Sequence, residues 1–249
     1  MESIGKLNRE TIKYLAMAAM FLNHFSAVFL SQYSLLGILL SDIGYFTAPV
    51  MCYFLVEGYR YTRSKRNYAG RLFLFAIISQ IPFCLVSTKL MTGEPGLRFF
   101  GMNMMFTLLL CFGILVAREK IRNSFLRIAV IVLLFVVSQY SDWSLFAPLY
   151  VLLFDRAGED KGRIARVFLI VTLLFGVYDF VGWFGFLPLW QVALHALGVM
   201  AGPAAAGIVL LFCYSGQPSK AGKKASKWFF YWFYPVHLLI LGLLSFAIP

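Results

Sequence analysis

Residues 44–83 read GYFTAPVMCYFLVEGYRYTRSKRNYAGRLFLFAIISQIPF, two apolar blocks joined by a loop that carries Arg60, Arg63, Lys65, Arg66 and Arg71. A helix rising about 1.5 Å per residue needs about 20 apolar residues to cross a hydrocarbon layer of about 30 Å, and both blocks approach that length. The stretch therefore reads as a pair of membrane-crossing helices turning back through a basic loop.

The rest of the chain has the same apolar character, though no sequence repeat stands out. Of 249 residues, 61% are hydrophobic and 13% charged, with a mean hydropathy of +0.79, whereas about a quarter of the residues in a soluble domain are charged. A membrane barrel would show short segments of alternating polarity instead. The expected fold is all-α, a polytopic transmembrane helix bundle forming a single domain over residues 1–249. Cys52, Cys84, Cys111 and Cys213 lie far apart inside apolar blocks, without the paired spacing of a metal or redox motif, and read as small core residues. The first apolar segment continues through MFLNHFSAVFL without a small-residue cleavage site and reads as a signal anchor.

Nine spans are expected, near residues 12–30, 44–60, 71–88, 102–117, 125–139, 142–154, 164–181, 191–214 and 228–247. Threading them from a cytoplasmic N-terminus returns the chain to the inside after spans two, four, six and eight. The basic residues cluster at those four loops and at the N-terminus, and only Lys89 and Arg98 fall elsewhere. Two independent patterns thus agree with the positive-inside rule, placing the C-terminus outside and the protein in the cytoplasmic membrane. This distribution accounts for the net charge of +11 without a nucleic-acid partner. Two segments interrupt the pattern. YSLLGILLSD, after the first span, is short enough to be re-entrant or interfacial, and the outer loop STKLMTGEPGLRFFGM has the composition of a lid.

Ionisable groups inside spans are costly unless paired or hydrated, so each is a functional candidate. At 1.5 Å per residue His24 lies about 18 Å, and His237 about 13 Å, from the cytoplasmic ends of their spans, depths at which neighbouring helices bring them together. Asn23, Asn103, Asp142, Asp179 and His195 lie at similar depth toward the outer face, with Ser79 and Gln80 in mid-span. Structural hydrogen bonding between helices is the competing role, and it suits His195 and Asp179 best. On the inner side Glu57 and Arg60, three residues apart, share a helix face. With Tyr61, Arg63, Lys65, Arg66, Tyr68 and Arg71 they form a basic and aromatic mouth. The seven consecutive aromatics WFFYWFY from Trp228 suit an interfacial belt. Pro235 behind them removes a backbone N–H and clashes with the Tyr231 carbonyl, which predicts a helix irregularity just before His237.

Several blocks resemble the TraX family, named for the pilin acetylase of conjugative plasmids: AMFLNHFSAVF, residues 44–83, NMMFTLLLCFGILV, SDWSLFAPLYVLLF and KWFFYWFYPVHLLIL. The resemblance implies acetyl transfer from acetyl-CoA to an acceptor at or beyond the membrane, and a distant likeness to the acyltransferase-3 group. It also implies that His24, Asn103, Asp142 and His237 are site residues, with Glu57 at the cytoplasmic end of the second span. The family commonly has aspartate before the first histidine, and here that residue is Asn23. An amide does not stabilise an imidazolium as a carboxylate does, so Asp142 is the alternative source of that charge.

The residues suit this chemistry on their own terms. A polyanionic acyl-CoA matches a mouth of Glu57, Arg60, Arg63, Arg66, Tyr68 and Arg71, since guanidinium groups grip phosphate in bidentate fashion. Histidine is the usual base near neutral pH. His24, oriented by Asn23 or Asp142, is the expected base, and His237 or Asn103 the expected stabiliser of the oxyanion; a route through an acetylated histidine is the alternative. No metal-ligand spacing is present. A transporter whose polar path uses the same residues, and a non-catalytic assembly factor, are the competing classes. The acceptor, whether protein N-terminus, glycan, lipid or small molecule, is not specified by any motif.

Overall fold

The computed structural model describes residues 7–216 and 223–247, with side chains in the second stretch from Trp228 onward. Lys6, Lys220 and the side chains of Lys223, Lys224 and Lys227, part of the expected basic clusters, lie outside the described residues. Among the described residues the chain is all-helical: α1 (Arg9–Phe29), α2 (Leu35–Gly44), α3 (Thr47–Tyr61), α4 (Lys65–Thr92), α5 (Met104–Lys120), α6 (Ser124–Ser138), α7 (Phe146–Ala157), α8 (Lys161–Trp183), α9 (Leu189–Ile208) and α10 (Lys223–Leu244). A π-helical segment, Val209–Cys213, extends α9.

Local chemistry explains the boundaries. Asn8, Ser34, Ser64, Asn103, Asn123 and Asp160 each cap the helix that follows with a side-chain oxygen on an otherwise orphaned N–H. Gly93, at φ +73°, closes α4 in the left-handed conformation that glycine adopts without strain. Five helical stretches are long and apolar enough to cross a membrane: Arg9–Phe29, Leu35–Tyr61, Lys65–Thr92, Lys161–Trp183 and Leu189–Cys213. The apolar surface points outward, as lipid requires. In α6 only Ser138 is buried, while Phe125, Leu126, Ile128, Val132, Leu133 and Val136 are exposed.

The expected segments differ in detail. YSLLGILLSD forms the capped helix α2, the expected lid begins as the last turn of α4, and α10 runs on through Pro235 to Leu244 without interruption. The segment expected at 142–154 starts as irregular chain, and α7 has only 12 residues, about 18 Å. The irregular backbone is satisfied from within. Ser138 Oγ donates to Ser144 O (2.6 Å), Thr107 Oγ1 to Asp142 O (2.6 Å) and the Asp142 N–H to Met102 O (2.8 Å). Such pairing is what an apolar surrounding demands of any non-helical segment.

The helices group into two compact units. The first comprises residues 1–51 and 159–230, the second 52–158 and 231–249. In the second, α5 is the central helix, with Ile114, Leu115, Tyr150, Phe154 and Phe75 among its fully buried side chains. Cys52 and Cys111 are buried there and all four cysteines are unbridged, consistent with the apolar role expected of them. In the first unit α2 is wedged between α1 and α9. Asn23 Nδ2 donates to Ser41 O (2.9 Å) and Ser26 Oγ to Gly37 O (2.8 Å) on one side. On the other, Gly198 and Gly202 bring α9 directly against Asp42, Tyr45 and Phe46. This is the small-xxx-small geometry by which membrane helices approach closely.

A side chain at Gly202 collides with the α2 backbone, whereas Gly182 has nothing within 4 Å of an added Cβ. Gly202→Leu is expected to lower the stability of the detergent-solubilised protein by about 1–3 kcal/mol or more. Gly182→Ala is expected to leave it unchanged or raise it by about 0.5–1 kcal/mol. Thermal unfolding of the two purified variants measures the difference.

Candidate functional site

The second unit builds its polar centre on the N-terminus of α5. Asn103 Oδ1 caps the helix, accepting from the N–H groups of Met105 (3.0 Å) and Phe106 (3.3 Å). Its Nδ2 donates to Ala76 O (2.7 Å) and Gln80 Oε1 (2.8 Å), while Gln80 Nε2 donates to Gly101 O (2.8 Å). Both amide hydrogens of Asn103 are thus committed within the protein. The sequence offers it, or His237, as the hydrogen-bonding group for a reaction oxyanion; in the fold its amide fastens α4 to α5.

The next N–H, that of Met104, donates to the hydroxyl of Tyr234 on α10 (3.1 Å). One turn further along α10 is His237, only 4% exposed. Its ring stacks on Phe233 (centroids 4.6 Å, interplanar 15°) and lies 5.9 Å from that of Tyr234. His237 Nδ1 lies 2.7 Å from Phe233 O. A carbonyl only accepts, so Nδ1 carries the proton and Nε2 presents the lone pair. Asp142 adjoins the same helix start. Its backbone N–H bonds Met102 O, its carbonyl accepts from Thr107, and its carboxylate accepts from the Trp143 N–H. Trp143 has φ +55° and is the one non-glycine residue with positive φ among the described residues. Strain of about 1–3 kcal/mol is retained here by the surrounding bonds.

His24 belongs to the first unit, half-buried on α1. Its neighbour Asn23, expected with Asp142 as the alternative to orient the imidazole, donates Nδ2 to the Ser41 carbonyl of α2 (2.9 Å).

The basic mouth lies within the second unit and divides by partner. Arg60 Nη2 donates to Phe154 O (3.2 Å) and Asp155 O (3.0 Å) and sits 3.6 Å from the Asp155 carboxylate, which also pairs with Arg118. Arg60, expected to bind ligand phosphate, therefore closes the C-terminus of α7, where cations are favoured. Lys65 pairs with Glu119 and lies 4.2 Å from the Tyr59 ring centroid. Arg71 is sandwiched between the rings of Tyr68 (5.3 Å) and Tyr231 (5.8 Å), and Tyr68 in turn rests on Gly58. Arg63 and Arg66 are exposed and make no ion pair among the described residues. Glu57 is half-buried one turn before Arg60 on α3.

Sequence reasoning noted Gln80 as a mid-span polar group but did not select Thr107, Tyr234, Glu119 or Asp155. Only Tyr234 carried a usable signal, lying three residues before His237 and hence on the same face of one helix. No group of three potential metal ligands occurs among the described residues.

Five helical stretches long and apolar enough to cross a membrane define an α-helical, multi-pass membrane protein. The chain belongs to the TraX family, whose family model, TraX protein, matches residues 8–245. It is also similar to the probable fimbrial assembly protein FimC, serogroup H1, of Dichelobacter nodosus, with 28% identity over 232 residues covering 92% of each chain. No solved structure matches it.

Asn103→Ala removes the cap and strands buried donors and acceptors, and is expected to cost about 2–4 kcal/mol in thermal unfolding. A second prediction concerns Glu119. Hydrogen bonds from Lys65 and then Tyr59 hold its carboxyl down to about 2 from an ordinary 4.5. A depressed folded-state value stabilises fully above the ordinary one and is lost as pH falls. Stability is therefore expected to decline as pH falls from about 4.5 to about 2, and Glu119→Gln to flatten that part of the melting-temperature profile.

Proposed function

We propose that the protein is a membrane acetyltransferase that moves an acetyl group from cytoplasmic acetyl-CoA to an amine or hydroxyl of an acceptor at the membrane, with a pilin-type subunit as the favoured acceptor. Membership of the TraX family and the fimbrial-assembly relative support the class and the acceptor. The observation that carries the chemistry is His237: a buried imidazole whose Nδ1–H donates to the Phe233 carbonyl, so that Nε2 is the basic nitrogen of this tautomer. Arg63 and Arg66, unpaired among the described residues, and Arg71 in its aromatic bracket, are the groups for the phosphates of acetyl-CoA. Asn103 and Asp142 hold the polar centre, and His24 is the second histidine assigned to proton transfer.

In this reading nine crossings with a cytoplasmic N-terminus put the loops at 61–65 and 118–123 on the cytosolic side, where acetyl-CoA is available. The transporter alternative draws no support from either comparison.

The experiment is transfer of labelled acetyl groups from acetyl-CoA in membranes of the source cells. Inside-out vesicles are expected to incorporate label from external acetyl-CoA, and right-side-out vesicles are not. His237→Ala is expected to reduce transfer by about 100-fold or more. Arg63→Ala with Arg66→Ala is expected to raise KM for acetyl-CoA by about tenfold with kcat little changed, the signature of uniform binding lost. No transfer by the wild type sinks the proposal; unchanged transfer in His237→Ala sinks the site.

A further inference from the structure

The polar centre of the second unit holds a hydroxyl that the fold leaves unused. Ser79, on α4, is wholly buried, and its Oγ makes no hydrogen bond among the described residues, to its own helix or to any other. A buried hydroxyl in that state costs stability, and a partner that comes and goes is one physical account of it.

Spacing fixes its surroundings. Ser79 is three residues after Ala76, whose carbonyl holds the Asn103 amide at the start of α5. It is four after Phe75, whose ring meets those of Tyr231 (5.0 Å) and Trp232 (5.2 Å) on α10. Residues three and four apart share a helix face, so Ser79 stands where α4 meets both α5 and α10. The level is fixed as well. From the Phe75–Tyr231 contact the two helices run in the same direction to the point where a Cβ on Gly242 would strike Leu85. At 1.5 Å per residue Ser79 lies about 6 Å beyond Phe75, and Tyr234 about 4.5 Å beyond Tyr231.

Tyr234, also buried, brings a second hydroxyl to that level. Its oxygen accepts the Met104 N–H (3.1 Å), while its own proton meets no acceptor among the described residues. The neighbouring donors are committed. Both Asn103 amide hydrogens are taken by Ala76 and Gln80, and the His237 Nδ1–H by the Phe233 carbonyl. The Asp142 carboxylate, whose field reaches Tyr234, accepts from the Trp143 N–H. In the first unit, by contrast, His195 Nδ1 is engaged with Asp179 Oδ2 (2.7 Å) between α9 and α8.

Resting on the acetyl-transfer reading, we propose that the Ser79 and Tyr234 hydroxyls are the donors to the thioester carbonyl oxygen, the role that the sequence offered to Asn103 or His237. The acceptor heteroatom bonds to the acyl carbon as its proton passes to His237 Nε2, and the carbonyl π electrons move onto oxygen, where the two O–H groups meet the new charge. The oxygen pair then re-forms the C=O bond. The C–S bond breaks with its electrons on sulfur, and the thiolate takes the proton from the imidazolium. The net change is acetyl-CoA and acceptor to acetylated acceptor and CoA. Such donors bond an oxygen more strongly as it gains charge, which lowers the barrier without tightening the binding of substrate.

The test uses the full chain in membranes of the source cells, with labelled acetyl-CoA as the probe and thermal unfolding of the purified variants alongside. Ser79→Ala is expected to lower kcat by about 100-fold with KM for acetyl-CoA little changed, since the oxyanion forms only as the reaction proceeds. Its melting temperature is expected to equal or exceed that of the wild type, because an unsatisfied hydroxyl has been removed. Tyr234→Phe is expected to lose kcat to a similar degree but also to melt lower, because the Met104 N–H loses its acceptor. Ser79→Ala therefore decides. Wild-type kcat in that variant, while the wild type transfers label, overturns the hydroxyl pair and leaves the acetyl-transfer reading standing. A lowered melting temperature or failure to fold makes the Ser79 hydroxyl structural, and a raised KM with unchanged kcat makes it a binding group; either overturns the pair. Absence of transfer by the wild type overturns the acetyl-transfer reading and the pair with it.

Discussion

The amide of Asn103 is the interaction on which the second unit depends. Where hydrocarbon replaces water, every backbone polar group must find its partner inside the protein, and a buried helix start leaves several N–H groups to satisfy at once. One side chain meets two of them with its oxygen and ties α4 to α5 with its nitrogen. Tyr234 takes a third, which draws α10, and with it His237, to the same place. The position of the histidine is thus a consequence of capping α5.

The same economy governs the charges. Burying an ion without a partner costs several kcal/mol, so in the second unit the largely sheltered Asp155 receives both Arg60 and Arg118, while at the exposed end of α5 Glu119 pairs with Lys65 and the Tyr59 hydroxyl. Groups consumed in this way hold helix ends together. Those left exposed, Arg63 and Arg66, are available to a ligand. Composition alone does not separate the two sets, because the positive-inside rule demands basic residues in that loop whatever their later use.

In the first unit, absence of side chains has the corresponding effect. Gly176, Gly198 and Gly202 let α8, α9 and α2 approach until side chains one turn away are forced into contact. Asp179, His195 and Asp42 come from three helices and are grouped by that packing. Each is an ordinary isolated polar residue in its own segment, and this explains why the sequence suggested chiefly a structural role for His195 and Asp179 and none for Asp42.

The helical character and the apolar runs were legible because they depend on near neighbours: unbroken apolar blocks of about the length of a span and basic residues that alternate between loops. The family was legible in the blocks from Gly44 to Phe83 and around His237, where residue order itself is distinctive. By itself the sequence determined that the chain is helical and largely apolar and that it belongs in a membrane, since each follows from the solvation of residues close together in the chain. Only the tertiary structure decided which polar groups are partners: Asn103 with Gln80, Arg60 with Asp155, His195 with Asp179. Periodicity orders residues around one helix and along it, but the choice of neighbouring helix rests on packing between segments far apart in the chain, as with Met104 and Tyr234, separated by 130 residues.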